Sequence, residues 1–137
     1  MTIQDAIADI EADFAMFSDW EDRFAYLIDL GKHLEPLAES ERNDTTKVRG
    51  CASQVWLVSA LKDGKLEFRG QSDAYLVSGL IALLLRIFSG RTPAEIVSVD
   101  IAALTQQLGL KDALTAQRSN GLAAMLARVR AVAQASL

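Results

Sequence analysis

The chain is short of most residues that carry special chemistry, and each shortage removes a class of function. Of its 137 residues one is cysteine and one is histidine. A structural zinc or iron–sulfur site needs about four soft ligands, so this chain cannot build one by itself. One cysteine cannot close an internal disulfide, and a free thiol persists most readily in a reducing compartment, which points to the cytoplasm. Cys51 and His33 form the sole available thiol and imidazole, and no His and Asn follow downstream in the papain order, which argues against a cysteine protease. His33 falls at the end of a helix, where a surface cation favours the dipole. Positive charge is also scarce, with 14 Lys and Arg against 18 Asp and Glu and a net charge of −4. Such a chain repels a phosphate backbone, so nucleic acid is not an expected partner. Arg128 and Arg130, the one basic cluster, read as a solvated helix face.

Long apolar runs are absent too. The most apolar stretch, Ala74 to Phe88, is broken by Ser78, Gly79 and Arg86 and falls short of the roughly 20 residues that span a bilayer. It reads as a buried core helix, and no membrane association is expected. The N-terminal segment is acidic and amphipathic, without the basic and apolar regions of a secretory signal, so export is not expected. Only two prolines, with half the residues hydrophobic and 23% charged of both signs, describe a chain that folds. Its length suits one domain, 1–137.

Apolar spacing then places the elements. Ile3, Ile7, Ile10 and Phe14 recur at helical intervals behind Thr2, a good N-cap, with Asp5 in the first turn. Trp20, Phe24, Leu27 and Ile28 repeat the pattern after Ser18 and Asp19, until Gly31 and Pro36 close it. The segment Leu37 to Gly50 is polar and aperiodic, a long loop, and such loops are often functional. Val55 to Leu61 is rich in β-branched and aromatic residues. Asp63-Gly64 offers a tight turn into the alternating residues 65–70, giving an antiparallel hairpin. Ser72 and Asp73 are N-cap candidates for the helix from Ala74 to Phe88, which Gly90 ends. Thr92-Pro93-Ala94-Glu95 is a capping box opening a short helix, Asp100 opens another that ends near Gly109, and Leu122, Met125, Leu126, Val129 and Val132 line one face of a last helix. The expected fold is α+β, a small antiparallel sheet of two or three strands covered by five or six helices.

Cys51 is the residue able to carry unusual chemistry. A free cysteine is most often a small buried hydrophobe. This one, however, ends the irregular loop, with Lys47 and Arg49 nearby in sequence to favour thiolate and Gly50 to permit close backbone approach. With no resolving cysteine, a reactive thiol here suits carrying a group better than forming a disulfide. The residues alone leave both readings standing.

The segment Val48-Arg49-Gly50-Cys51-Ala52-Ser53-Gln54-Val55-Trp56-Leu57 resembles the signature of the SufE family, sulfur acceptors for the cysteine desulfurase SufS and its relatives. Gly70-Gln71-Ser72-Asp73-Ala74, followed by Val77 and Gly79-Leu80, and the block Leu114 to Leu122 with Met125 resemble two further family segments in the same order. The family often has proline where this chain has Ala116. The resemblance implies a fold related to the U-type iron–sulfur scaffolds, with the active cysteine on a loop. Those scaffolds carry three cysteines, so a single one separates carrier from scaffold. It further implies that a desulfurase, using its own pyridoxal phosphate, would pass persulfide sulfur to Cys51 and be stimulated in doing so. The sulfur would go on to a downstream iron–sulfur scaffold, and the carrier itself would need neither cofactor nor metal. Arg49, Gly50, Ser53, Gln54, Asp73 and Arg118 are implied to bind the partner or present the loop, although Asp73 could equally cap a helix and Arg118 pair on the surface. The rival reading is a non-catalytic regulatory module of a desulfurase with Cys51 structural. A homodimer is left open. A carried persulfide needs shelter until delivery, and the loop from Leu37 to Gly50, with few apolar anchors, is expected to open at little cost.

Overall fold

Local signals start and stop most of the helices in the computed structural model, which describes residues 2–137. Thr2 caps α1 (Ile3–Ala15) through a reciprocal capping box with Asp5. The Asp19 side chain accepts from the Asp22 N–H to cap α2 (Trp20–Gly31). Two strands follow, β1 (Val55–Lys62) and β2 (Lys65–Ser72), paired antiparallel from Val55 with Ser72 to Lys62 with Lys65. Asp63 and Gly64 between them both have positive φ, 53° and 78°. That is the primed turn whose twist matches the flanking strands. Then come α3 (Tyr75–Phe88), α4 (Pro93–Val97), α5 (Ile101–Gln107), α6 (Leu110–Ala113) and α7 (Ala116–Ala135). Thr92 and Glu95 form the expected capping box on α4, and Asp100 caps α5.

The α+β architecture is the one the sequence predicts, a two-stranded sheet with seven α-helices among the described residues. The helix beyond the expected six is α6, a single turn that the chain enters through Gly109 at φ 71°. Val55 and Leu57 of β1 and Leu66 and Phe68 of β2 are buried in the core with the fully covered Leu80, Ile81, Leu83 and Ile87 of α3. A sheet this small needs such a cover to persist. Each sheet edge is extended by one bridge, Lys47 with Trp56 beside β1 and Arg91 with Leu66 beside β2.

Helix α3 is the central element, packed on β2 and on α2. The α2–α3 approach is so close that a Cβ on Gly79 would lie 2.3 Å from the Leu27 carbonyl oxygen. One on Gly31 would lie 2.6 Å from the Gly79 nitrogen. At the outer end of this contact Tyr26 donates to Asp13 at 2.6 Å, and Arg86 reaches both Asp13 and the Tyr26 hydroxyl at 2.9 Å. One polar triad therefore ties α1, α2 and α3 together.

Two expectations are corrected. Neither Ser72 nor Asp73 caps α3, whose N-cap is Ala74 and has no side-chain acceptor. Ser72 is still held in β2, and the Asp73 carboxylate is taken by the Gln54 N–H. The segment from Leu37 to Gly50 is likewise not weakly anchored. It contains a 3₁₀ turn at Glu39–Glu41, and Leu37 and Val48 are buried. Leu37 N–H donates to Gln71, Arg69 pairs with Glu41, and Asn43 accepts from the N–H groups of Thr45 and Thr46. Thr46 and Val48 bond to the β1 backbone at 2.9 and 2.8 Å.

Candidate functional site

With that loop fastened, the irregular backbone around the thiol shrinks to a short flap, Arg49 to Ser53. Its entry is fixed by the Val48 N–H to the Val55 carbonyl at 2.8 Å. Its exit is clasped by Asp73, whose carboxylate accepts from the Gln54 N–H at 3.0 Å and whose own N–H donates to the Gln54 carbonyl at 3.3 Å. Gly50 turns the flap at φ 91°, a conformation side chains resist, and a Cβ there would meet the Ala124 methyl at 3.4 Å.

Cys51 sits on this flap half-buried, its Sγ donating to the Gly121 carbonyl of α7 at 3.6 Å. It opens into a cleft of about 400 Å³ between α3 and α7, with Leu76, Leu80, Leu122 and Met125 as apolar lining and Ser53 and Arg118 as polar lining. The cleft is mostly apolar with a few converging polar groups, as ligand sites usually are. Helices α3 and α7 both turn their first residues toward it, Tyr75 from one and Gln117 and Arg118 from the other. Helix N-termini carry partial positive charge, so the mouth opposes an anion less than the apolar floor of the cleft does.

Burial pushes the Cys51 thiol above its ordinary value, because an apolar wall stabilises the neutral form over the anion. That overturns the expectation that Lys47 and Arg49 lower it. Neither lines the cleft, and Arg49 is exposed on the outside of the flap. The resting thiol is partly sheltered, and burial disfavours its nucleophilic, anionic form.

The structure thus brings Cys51 and Ser53 of the flap and Arg118 of α7 to one cleft, makes Gly50 the turn that carries the flap, and joins Gln54 to Asp73 as the exit clasp. Arg49 stands apart. Arg118 is exposed and makes no ion pair among the described residues, its N–H being the one that Thr115 caps. Two residues were given no role in the sequence, and one was misread. Tyr75 is 78% exposed on the cleft rim beside the thiol, and Gln117 lines it. Arg128, expected on a solvated face, instead donates to the Thr45 carbonyl at 3.2 Å and the Lys47 carbonyl at 2.7 Å. Helical spacing from Gly121 was the only signal for it.

Among the described residues there is no group of three or more His, Cys, Asp or Glu side chains placed to hold a metal, and no helix long and apolar enough to cross a membrane.

Comparison with known proteins gives consistent results. The family model described as "SufE: Fe-S metabolism associated domain" matches residues 8–133. An uncharacterised SufE-like protein of Rhizobium meliloti is 44% identical over 141 aligned residues, covering 100% of this chain and 99% of that one. Another, from Rhizobium etli, is 45% identical over 122 residues, with 86% and 82% covered. The solution structure of a hypothetical protein from Thermus thermophilus superposes with a TM-score of 0.76 over 99% of this chain and 98% of its own, at 19% identity. At that identity the match speaks to fold alone.

Proposed function

This chain belongs to the SufE family of Fe-S metabolism associated domains, and from that premise we propose that it is a sulfur carrier, taking persulfide sulfur from a cysteine desulfurase onto Cys51. The observation that supports this most is the placing of the chain's one thiol on a five-residue flap, at the mouth of a cleft flanked by two helix N-termini and Arg118. In the proposed step Cys51 first loses its proton to solvent as the flap moves outward. The thiolate attacks the terminal sulfur of the partner's cysteine persulfide. A new S–S bond forms at Cys51, the partner's S–S bond breaks, and the partner cysteine leaves as thiolate with the electron pair. No net oxidation occurs, and the rate follows thiolate fraction, leaving-group pKa and access. Returned to the cleft, the persulfide is shielded by Leu76, Leu122 and Met125 until a downstream iron–sulfur scaffold takes it. Residues 1–137 act as one domain in this reading, in the cytoplasm, with Arg118, Ser53 and the Asp73–Gln54 clasp presenting the flap.

The partly buried, protonated thiol is also what a structural cysteine would show, and it supports the rival in which the chain docks on and regulates a desulfurase without carrying sulfur. One substitution separates the two. For Cys51→Ser we expect a folded protein, since Sγ makes only one weak hydrogen bond, and no added sulfur by intact mass after incubation with desulfurase and cysteine. The wild type gains one sulfur atom. Undiminished stimulation of the desulfurase by Cys51→Ser, with no sulfur on wild-type Cys51, would establish the regulator instead.

A further inference from the structure

Helix α7 does more than close the cleft. Gly121, Ala124 and Arg128 follow one another at intervals of three and four residues, so they share one face of the helix. Each meets the chain leading to the thiol. Arg128 holds the carbonyls of Thr45 and Lys47, the Ala124 methyl lies against Gly50, and the Gly121 carbonyl accepts from Cys51. From residue 45 to residue 51 the backbone therefore runs along a single helical stripe, and Arg128 supplies its charged contact.

Arg128 has no carboxylate partner among the described residues. Its two bonds go to carbonyls one and three residues before Val48, where the flap is hinged. A planar guanidinium can span two backbone acceptors at once, whereas an ammonium grips as a single point. Lys47 and Thr46 also touch β1, but those bonds fix the segment to the sheet and leave its seating on α7 to Arg128. We propose that Arg128 is a positioning residue for Cys51, seating residues 45–47 on α7 so that the flap starts from a fixed point and the thiol rests against Gly121. This deepens the sulfur-carrier reading, on which its biological use rests, and names a control of that same site.

The test needs no desulfurase, so it succeeds or fails separately from that reading. Alkylation of Cys51 by iodoacetamide is followed against pH for the full-length wild type, Arg128→Ala and Arg128→Lys, beside urea melts. Arg118, the charged residue in the cleft, and the exposed Arg49 are unchanged throughout. With the clamp gone the thiol leaves its apolar seat more often. Arg128→Ala is expected to react about tenfold faster at neutral pH, the weight of one hydrogen bond to a charged donor on a local opening. The midpoint of its pH profile is expected to fall, and Arg128→Lys to lie between. A rate within about twofold of wild type with an unmoved midpoint would overturn the proposal, as would lost stability with an unmoved midpoint. If Arg128→Ala does not fold, Arg128→Lys is judged by the same criterion.

Discussion

Gly79→Ala sets two known effects against each other. In a helix interior alanine is favoured over glycine by about 1 kcal/mol, so propensity alone predicts stabilisation. The structure predicts the reverse. The new Cβ would lie 2.3 Å from the Leu27 carbonyl oxygen and 2.5 Å from its carbon, both backbone atoms of α2. A flexible side chain could swing aside, but a helix backbone has to move as a body, by about 1 Å to restore ordinary contact. A gap of that size forfeits a quarter to a half of the dispersion energy along the seam, and overpacking of this kind costs about 1–3 kcal/mol or more. The contact lies at the crossing of the central helix, with the Tyr26, Asp13 and Arg86 triad at its edge, so the upper end applies. After the propensity gain, the net loss is about 2 kcal/mol, or a fall in Tm on the order of 5–10 °C. Urea and thermal melts measure it directly. Gly121→Ala is the internal control, because its Cβ would meet Cys51 Sγ at an ordinary 3.6 Å. That variant should be as stable as wild type or up to about 1 kcal/mol more so. Equal or higher stability for Gly79→Ala would refute the packing argument.

Arg118→Glu should leave the melt unchanged, since the side chain is exposed and unpaired among the described residues, yet raise the carrier concentration needed for half-maximal desulfurase stimulation. The difference should shrink as salt screens it, because rim charges act mainly on association. An unchanged concentration dependence would return Arg118 to a plain surface role. The Asp13 carboxyl is held below its ordinary value, first by the Tyr26 hydroxyl and then by Arg86. A depressed folded-state pKa means the contribution is present above the unfolded value near 3.8 and disappears as pH falls through the folded one. Asp13→Asn should therefore lower stability at pH 7 by roughly 0.5–1 kcal/mol, reduced by solvent screening, and match wild type near pH 2. A gap that persists at low pH would place the loss in packing and not in charge.

What the sequence disclosed was what neighbours along the chain decide. Thr2 with Asp5 and Thr92 with Glu95 cap their own helices within three residues, and Asp63-Gly64 makes its own turn. Helical spacing in α1 and α7 and alternation in β2 marked the buried faces for the same reason. The errors fell where distant segments compete for one group. Asp73 has the chemistry of an N-cap, but Gln54, 19 residues away, takes its carboxylate. Arg128 has the spacing of a solvated residue, but carbonyls 81 and 83 residues back engage it. Lys47 and Arg49 neighbour Cys51 in sequence, while its actual surroundings are apolar residues of α3 and α7. Polarity made the segment from Leu37 to Gly50 read as loose, because its anchors Gln71, Arg69 and Arg128 all lie on other elements.

The Gly121 carbonyl that covers Cys51 lies 70 residues further along the chain. On a ribosome adding about 5–20 residues per second, the thiol is made roughly 4–14 s before its cover exists. The cradle completes only when the last helix docks. Until that helix has been made and has docked, Cys51 lacks the cover it has in the folded protein. Each newly made molecule therefore depends on the reducing power of its surroundings before its own architecture takes over.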